Sequence, residues 1–162
     1  MRLNCAALTD TGIRRTANED SYCVREDLAL FVVADGMGGH VAGEVAAQVA
    51  IEELERFVAG TKNTGPSDTW PVPFDPKLGQ NGYRLCAGMT EANHQIAARI
   101  KNDDNLQGMA TTAVAILADG NPPALAHAGD SRAYLLRNEQ FSRLTRDHSW
   151  VEEQMRAGAL TA

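Results

Sequence analysis

The sequence has few cysteines, fewer basic than acidic residues and no long apolar run, and each of these features argues against a class of protein. Its 162 residues include three cysteines, Cys5, Cys23 and Cys86, and their wide separation matches neither a disulfide framework nor the paired spacing of a zinc site. Reduced thiols, as in a cytoplasmic protein, are therefore expected. Basic residues are outnumbered, giving a net charge of −6, which argues against nucleic acid or an anionic membrane as a partner. No apolar run approaches the length of a membrane span or a signal-peptide core.

The residues that are present indicate one globular domain over 1–162. Hydrophobic residues make up 44% and charged residues 22%, which is ordinary for a globular protein. A chain of this length can bury a substantial core. Hydrophobic periodicity predicts, in order, strands at 3–9, 21–25 and 28–34, helices at 43–60 and 80–102, strands at 111–118, 124–128 and 132–137, and a helix starting within 149–160.

The order of these segments predicts the fold class. Strands, then two helices, then more strands differ from the alternating rhythm of a doubly wound sheet, and favour an α+β domain in which helices cover antiparallel sheet. The run at 28–34 is almost wholly apolar, which predicts a strand buried on both faces. The stretch 61–79 holds four of the six prolines and is predicted to be a loop between the two helices.

A glycine-rich turn, VVADGMGGHVAGEVA at 32–46, follows the apolar strand. It lacks the Lys and Ser/Thr that a Walker phosphate loop requires after its last glycine, and Val41 stands where a dinucleotide fingerprint requires glycine. Asp35 and the Gly36 carbonyl could instead ligate a hard cation such as Mg²⁺ or Mn²⁺. A plain strand-to-helix turn, with glycines supplying unusual backbone angles, is the competing interpretation.

Other acidic and basic residues occur in comparable turns. The segment TDTGIRRTANED at 9–20 contains Arg15, whose guanidinium could bind two phosphate oxygens. It ends with Glu19 and Asp20, which could ligate metal directly or through water. Asp130 lies in a tight turn between two predicted strands. Each residue has a structural alternative, since Arg15 and Glu19 could form a surface ion pair of little energetic weight.

Five segments in order, TDTGIRRTANED, VVADGMGGH, GMATTAVA, AHAGDSRAYLL and LTRDHSW, resemble the bacterial branch of the metal-dependent protein phosphatases of the PP2C (PPM) family. The resemblance covers the chain apart from 61–79. It implies an αββα four-layer sandwich with antiparallel sheets, incomplete at the C-terminus. In this interpretation 1–162 is a single, truncated phosphatase domain, and 145–162 begin the flap region.

The resemblance also implies the site. Asp35 and the Gly36 carbonyl would bind two Mn²⁺ or Mg²⁺ ions, and Glu19 and Asp20 would contact them directly or through bound water. Asp130 would help to hold a third, weaker ion. Arg15 would bind the substrate phosphate. The two ions would lower the pKa of a bridging water, whose hydroxide attacks phosphorus in line.

The substrates implied are phosphorylated serine and threonine proteins, opposing a Ser/Thr kinase in the cytoplasm. His40 is expected to be structural rather than a general acid. His148 is expected either in the turn entering the flap or as a solvated loop residue.

Two acidic motifs of the family have no counterpart after Asp147, so the metal centre would lose about half its anionic ligands. The chain is therefore expected to be a fragment of a phosphatase, weakly active or inactive by itself. The alternatives are a catalytically inactive module that binds phosphoproteins, and a structural domain that keeps the motifs as turns. Missing strands would leave sheet edges unpaired, which predicts a dimer, strand exchange or disorder at 143–162.

Overall fold

The computed structural model describes residues 3–38, 42–65, 70–120 and 122–159. Its elements are strands β1 (Asp20–Arg25) and β2 (Leu30–Met37), helices α1 (Ala42–Gly60) and α2 (Gly79–Asn102), strands β3 (Ala110–Thr111), β4 (Ala113–Leu117), β5 (Ala124–Ala128), β6 (Tyr134–Arg137) and β7 (Gln140–Arg143), and helix α3 (Trp150–Arg156). Short 3₁₀ turns, Pro76–Leu78 and Asp104–Leu106, flank α2. The two long helices begin within one residue of their predicted positions.

Five strands form one antiparallel sheet in the order β1-β2-β4-β5, with the short β3 also paired to β2. Strands β6 and β7 form a separate two-stranded hairpin. Strand β2 is central, because it pairs with β1 on one side and with β3 and β4 on the other. The predicted α+β class with antiparallel sheets is thus observed.

Helices α1 and α2 pack on each other and on one face of the large sheet. Each helix has an apolar face at the 3.6-residue period, and these faces meet alternate residues of the strands. The main core joins both sets, and its fully buried members include Leu30, Leu54, Val58, Leu85 and Leu117. Burial of large apolar side chains contributes roughly 1.5–3 kcal/mol each, so this helix-on-sheet interface is a main source of the domain's stability. A smaller buried cluster consists of Ala42, Ala46 and Met109.

The prediction that 28–34 is buried on both faces is wrong. Burial alternates along β2, and Val33 on the face opposite the helices keeps 49% of its surface exposed. Leu28 and Ala29 also precede the strand, in a turn where Ala29 has a φ of 51°. A continuous apolar run satisfies a strand with one buried face as well as a strand with two, so composition could not separate them.

The strand predicted at 3–9 is also absent from the structure. These residues are mostly exposed, with Leu8 at 93%, and within the described ranges they form no ladder with another strand. An extended segment becomes a strand only when its backbone groups find partners. The hairpin strand β7 was not predicted, because its turn at Asn138 and Glu139 lacks the glycine that usually announces such a turn.

The predicted loop at 61–79 connects α1 to α2, and residues 66–69 of it lie outside the described part of the chain. Trp70 stacks on Tyr83 of α2 with ring centroids 4.8 Å apart. The Tyr83 hydroxyl donates to the carbonyl of Val72 at 2.7 Å. The second half of the loop is therefore fixed against α2. Among the described residues, no helix is long and apolar enough to cross a membrane.

Candidate metal and phosphate site

Two aspartates from separate motifs lie side by side at one end of the sheet. Asp20 begins β1, Asp35 lies near the end of β2, and the antiparallel register makes them direct cross-strand partners. Residues directly opposite each other in such a pair project from the same face. The strand was predicted to end at residue 34, with Asp35 in the turn after it. Strand β2 instead continues through Asp35 to Met37, so Asp35 is held within the sheet.

The environment of Asp35 raises its carboxyl pKa above the ordinary value. Partial desolvation is the main cause, and repulsion from the neighbouring Asp20, which also shares a hydrogen bond with it, comes next. Asp130 adds a weaker repulsion, whereas the positive charge of Arg15 acts in the opposite direction. Arg15, Asp20 and Asp130, which come from two other predicted segments, are therefore all within electrostatic range of Asp35.

Glu19 reaches the site by a different route. The amide of Gly36 donates to the Glu19 carbonyl at 3.1 Å. The Glu19 carboxylate lies over the start of α1, since a Cβ added to Gly43 would be 2.5 Å from its Oε2. A carboxylate at the first turn of a helix is stabilised by the helix dipole. Glu19 thus contacts the start of α1, whereas Asp20, adjacent to it in sequence, lies opposite Asp35 in the sheet.

The segment that carries Arg15 is a loop shaped by its own polar side chains. Asp10 accepts a hydrogen bond from the amide of Gly12 at 2.7 Å. Asn18 donates to the Thr9 hydroxyl at 2.7 Å and accepts from the amide of Asp20 at 3.1 Å. These short-range bonds tie the two ends of the loop together, and Arg15 is exposed between them.

Asp130 lies in the turn after β5, where Gly129 has a φ of +94°. His148 fastens this turn to the segment before α3: its amide donates to the Gly129 carbonyl at 3.0 Å, and its ring Nδ1 accepts from the Gly129 amide at 3.4 Å. The His148 ring stacks on His127 with centroids 4.4 Å apart. His148 is exposed and shapes the turn after β5 through these bonds, whereas its place in a turn that enters the flap stays a prediction.

Two threonines that were not among the predicted site residues contact Asp35 directly. Thr112 donates its amide to the Asp35 carbonyl at 2.9 Å, and its Oγ1 accepts from the Asp35 amide at 3.1 Å. Thr111 Oγ1 donates to the same carbonyl at 3.0 Å. Both belong to the GMATTAVA segment, but threonines in a strand are so common that nothing in the sequence alone marked them as contacts of Asp35.

The donors are of the right kind for a hard cation, because carboxylate and carbonyl oxygens are the ligands that Mg²⁺ and Mn²⁺ prefer. These donors are few. No three His, Cys, Asp or Glu side chains converge closely enough to enclose a metal within the described residues 3–38, 42–65, 70–120 and 122–159. The residues of the site therefore fit a hard cation in their chemistry, and would supply only part of its coordination shell. His40, expected to be structural, lies outside the described residues.

The model of the protein phosphatase 2C family matches residues 13–155. Because the match spans most of the chain and includes every predicted site residue, this chain belongs to the protein phosphatase 2C family. The family expected from the five sequence segments is thereby confirmed.

Curated relatives carry related names. The chain is 38% identical over 159 residues to the serine/threonine protein phosphatase PstP of Mycobacterium tuberculosis, covering 98% of this chain and 28% of PstP. It is 34% identical to the serine/threonine phosphatase stp of Listeria welshimeri and 32% identical to the protein phosphatase PhpP of Streptococcus pneumoniae. It spans 58% and 61% of those two proteins, so it corresponds to only part of each relative.

Solved structures share the fold. The crystal structure of the Mycobacterium tuberculosis phosphatase PstP superimposes with a TM-score of 0.77 at 38% identity, over 96% of this chain and 59% of that one. The PstP catalytic domain in complex with two manganese ions gives a TM-score of 0.76 at 37% identity, over 60% of its length. The predicted PP2C-like fold is confirmed for the portion that this chain covers.

Proposed function

We propose that this chain carries the phosphate-binding and part of the metal-binding machinery of a metal-dependent protein serine/threonine phosphatase. In this proposal Asp35 and the Gly36 carbonyl hold Mn²⁺ or Mg²⁺, and Glu19 and Asp20 contribute directly or through water. Asp130 serves a third, weaker ion. The names of the relatives PstP, stp and PhpP support the reaction class, and the manganese complex of PstP supports the cofactor.

The observation that carries the proposal is the cross-strand pair of Asp20 and Asp35. Partial desolvation and repulsion by Asp20 both raise the Asp35 pKa. The two neighbouring carboxylates favour a bound counter-charge, because a divalent ion relieves the repulsion. No such ion is needed to stabilise a plain strand-to-helix turn. The pair therefore favours a metal platform over the structural interpretation of the glycine-rich segment.

The residues of the chain have distinct tasks in this reaction. Bound divalent ions would lower the pKa of coordinated water and offset charge on the phosphoryl oxygens. Arg15, exposed on its loop, would grip two phosphate oxygens with its guanidinium and orient phosphorus toward the aspartates. Asp20 and Asp35 would hold the ions at the sheet. No cysteine is required as a nucleophile, and Cys23 is buried.

Mn²⁺-dependent hydrolysis of a phosphothreonine peptide tests the activity, and calorimetric titration with Mn²⁺ tests the metal site. Asp35→Asn should reduce Mn²⁺ affinity at least tenfold and abolish any hydrolysis, because it removes a ligand charge. Asp104→Asn is the matched control, since Asp104 is an exposed acid in the 3₁₀ turn after α2. Equal Mn²⁺ affinity in the wild type, Asp35→Asn and Asp104→Asn would refute the metal platform.

A second function, a non-hydrolytic phosphoprotein-binding module, is favoured by the incomplete coordination shell among the described residues. It predicts phosphopeptide binding without Mn²⁺-dependent turnover. Arg15→Lys should then weaken phosphopeptide affinity, because an ammonium cannot form the two parallel bonds of a guanidinium. Turnover by the chain that is lost in Asp35→Asn would rule this module out.

The biological setting is also part of the proposal. Phosphorylated serine and threonine proteins are the proposed substrates, with a Ser/Thr kinase acting in opposition in the cytoplasm. Strands β1 and β5 are the outer strands of the described sheet, so a dimer or strand exchange would form there. Sedimentation at increasing protein concentration tests that association, and a monomer at all concentrations would refute it.

A further inference from the structure

We infer that Thr112 is a positioning residue that fixes Asp35 relative to the turn carrying Asp130. The inference rests on the proposed function, because it concerns two of the proposed metal-binding residues. It starts from an interruption in the sheet. Pairing of β2 with β4 stops at Val33 and Val114, and pairing with β3 resumes at Gly36 and Thr111.

The same register places Thr112 opposite Asp35 inside this interruption. Both backbone polar groups of Asp35 bond to Thr112: the carbonyl accepts from its amide at 2.9 Å, and the amide donates to its side-chain Oγ1 at 3.1 Å. A side-chain hydroxyl therefore serves where a strand would ordinarily offer a carbonyl. Thr112 consequently bonds both backbone polar groups of Asp35, and Thr111 Oγ1 adds a second bond to the carbonyl at 3.0 Å.

The same hydroxyl also reaches the Asp130 turn. Thr112 Oγ1 lies 2.6 Å from Ser131 Oγ, the residue after Asp130. Because Thr112 Oγ1 already accepts from the Asp35 amide, its own proton is free to be donated to Ser131. Thr112 Oγ1 thus connects Asp35 with the turn that carries Asp130.

The methyl group of Thr112 fixes the other side of that turn. A Cβ added to Gly129 would be 2.7 Å from Thr112 Cγ2, so the turn's backbone packs directly on this methyl. Hydroxyl and methyl together hold the turn from two directions. Serine could supply only the hydroxyl and valine only the methyl, which makes the two halves of the contact separable by mutation.

Three variants test the inference by Mn²⁺ titration and by NMR. Thr112→Val keeps the methyl and shape but loses the hydroxyl, Thr112→Ser keeps the hydroxyl, and Ser131→Ala cuts only the link to the turn. Thr90→Val is the matched control, because the Thr90 hydroxyl bonds the Cys86 carbonyl inside α2, away from the site. Urea unfolding of each variant separates loss of stability from loss of positioning.

We expect Thr112→Val to weaken Mn²⁺ binding about tenfold, the lower end of the effect of removing an outer-shell partner. Thr112→Ser should stay within about threefold of the wild type, and Thr90→Val should be unchanged. In the wild type, paramagnetic Mn²⁺ should broaden the amide signal of Gly36 first and that of Asp130 at a higher concentration, because Asp130 serves the weaker ion. In Thr112→Val and Ser131→Ala the gap between these two Mn²⁺ concentrations should widen.

The outcomes are distinguishable. If Asp35→Asn leaves Mn²⁺ broadening at Gly36 unchanged, the proposed function fails. If Asp35→Asn abolishes it while Thr112→Val and Ser131→Ala behave as wild type, the proposed function stands and the positioning role is refuted. A Thr112→Val variant that loses stability yet keeps the wild-type gap between the Mn²⁺ concentrations that broaden Gly36 and Asp130 also refutes it, because the residue would then be structural only. If Thr112→Val does not fold, Ser131→Ala decides alone.

Discussion

Replacing Gly36 with alanine should destabilise the domain strongly, because strand β2 and helix α1 touch at this residue. A Cβ added to Gly36 would lie 2.0 Å from the Gly43 carbonyl oxygen and 2.7 Å from the Glu19 carbonyl oxygen. The nearer oxygen would have to retreat by about 1.4 Å to reach the 3.4 Å at which ordinary contact begins. Both neighbours are backbone atoms, so no side-chain rotation can relieve the overlap.

The magnitude follows from what must move. Overpacking a filled core costs about 1–3 kcal/mol when side chains can adjust. Displacing α1 would also loosen its buried contacts with the sheet, which include those of Ala46, Ala47 and Leu54. We therefore expect Gly36→Ala to lower the free energy of unfolding by about 3 kcal/mol, a large share of the 5–15 kcal/mol of a typical domain.

Urea unfolding followed by circular dichroism measures this change. For a slope of about 2 kcal/mol per molar urea, the midpoint should fall by about 1.5 M. Gly60→Ala is the matched control, because Gly60 ends α1 and a Cβ there would meet nothing within 4 Å. It should be neutral or more stable by about 0.5 kcal/mol, as helical alanine is. A Gly36→Ala variant within about 0.5 kcal/mol of the wild type would refute the close contact.

Three further predictions use the same unfolding measurement. Glu139→Gly should raise the free energy of unfolding by about 0.5–1 kcal/mol, since Glu139 has a φ of 63°; an unchanged midpoint would contradict the strain. A neighbouring guanidinium lowers the pKa of Asp27 to about 2 from 3.8, so its stabilisation is complete above pH 4 and is lost as the pH falls toward 2. The urea midpoints of the wild type and Asp27→Asn should accordingly converge as the pH falls from 4 toward 2. A constant difference between the two midpoints over this range would contradict the lowered pKa of Asp27. Arg84→Met should cost about 3 kcal/mol, because Arg84 is 2% exposed and bonds Asp119. Arg56→Met at an exposed ion pair should cost under about 1 kcal/mol, and equal losses would contradict the role of burial.

The sequence predicted the helices well and the strands less evenly, for a physical reason. Residues of α1 and α2 repeat at a period that only a helix satisfies, so their bounds could be read locally. A strand depends on its partner, and neither the failure of 3–9 to pair nor the pairing of β7 with β6 is encoded within those residues themselves. Whether the second face of β2 is buried depends likewise on whether another element packs against it.

The site was predictable in its residues and not in its arrangement. Acidic side chains beside turns marked Asp20, Asp35 and Asp130 as candidates, and the family supplied their roles. The register that makes Asp20 and Asp35 partners is a property of the whole sheet, since it depends on the turn between β1 and β2 as well as on both strands. The contacts of Thr112 were hidden for the same reason, because its partners lie 77 and 19 residues away.

In the described part of the glycine-rich segment, the first glycine is used differently from the glycines of a phosphate loop. Phosphate loops bind anions through backbone amides that point at the ligand. Here the Gly36 amide donates to the Glu19 carbonyl. Strand β2 and helix α1 meet so closely at Gly36 and Gly43 that neither position has room for a side chain. An amide that is already bonded within the protein cannot hold a phosphate. Phosphate binding is therefore expected from a side chain, and Arg15 on the exposed loop 9–20 has a positive charge that reaches Asp35.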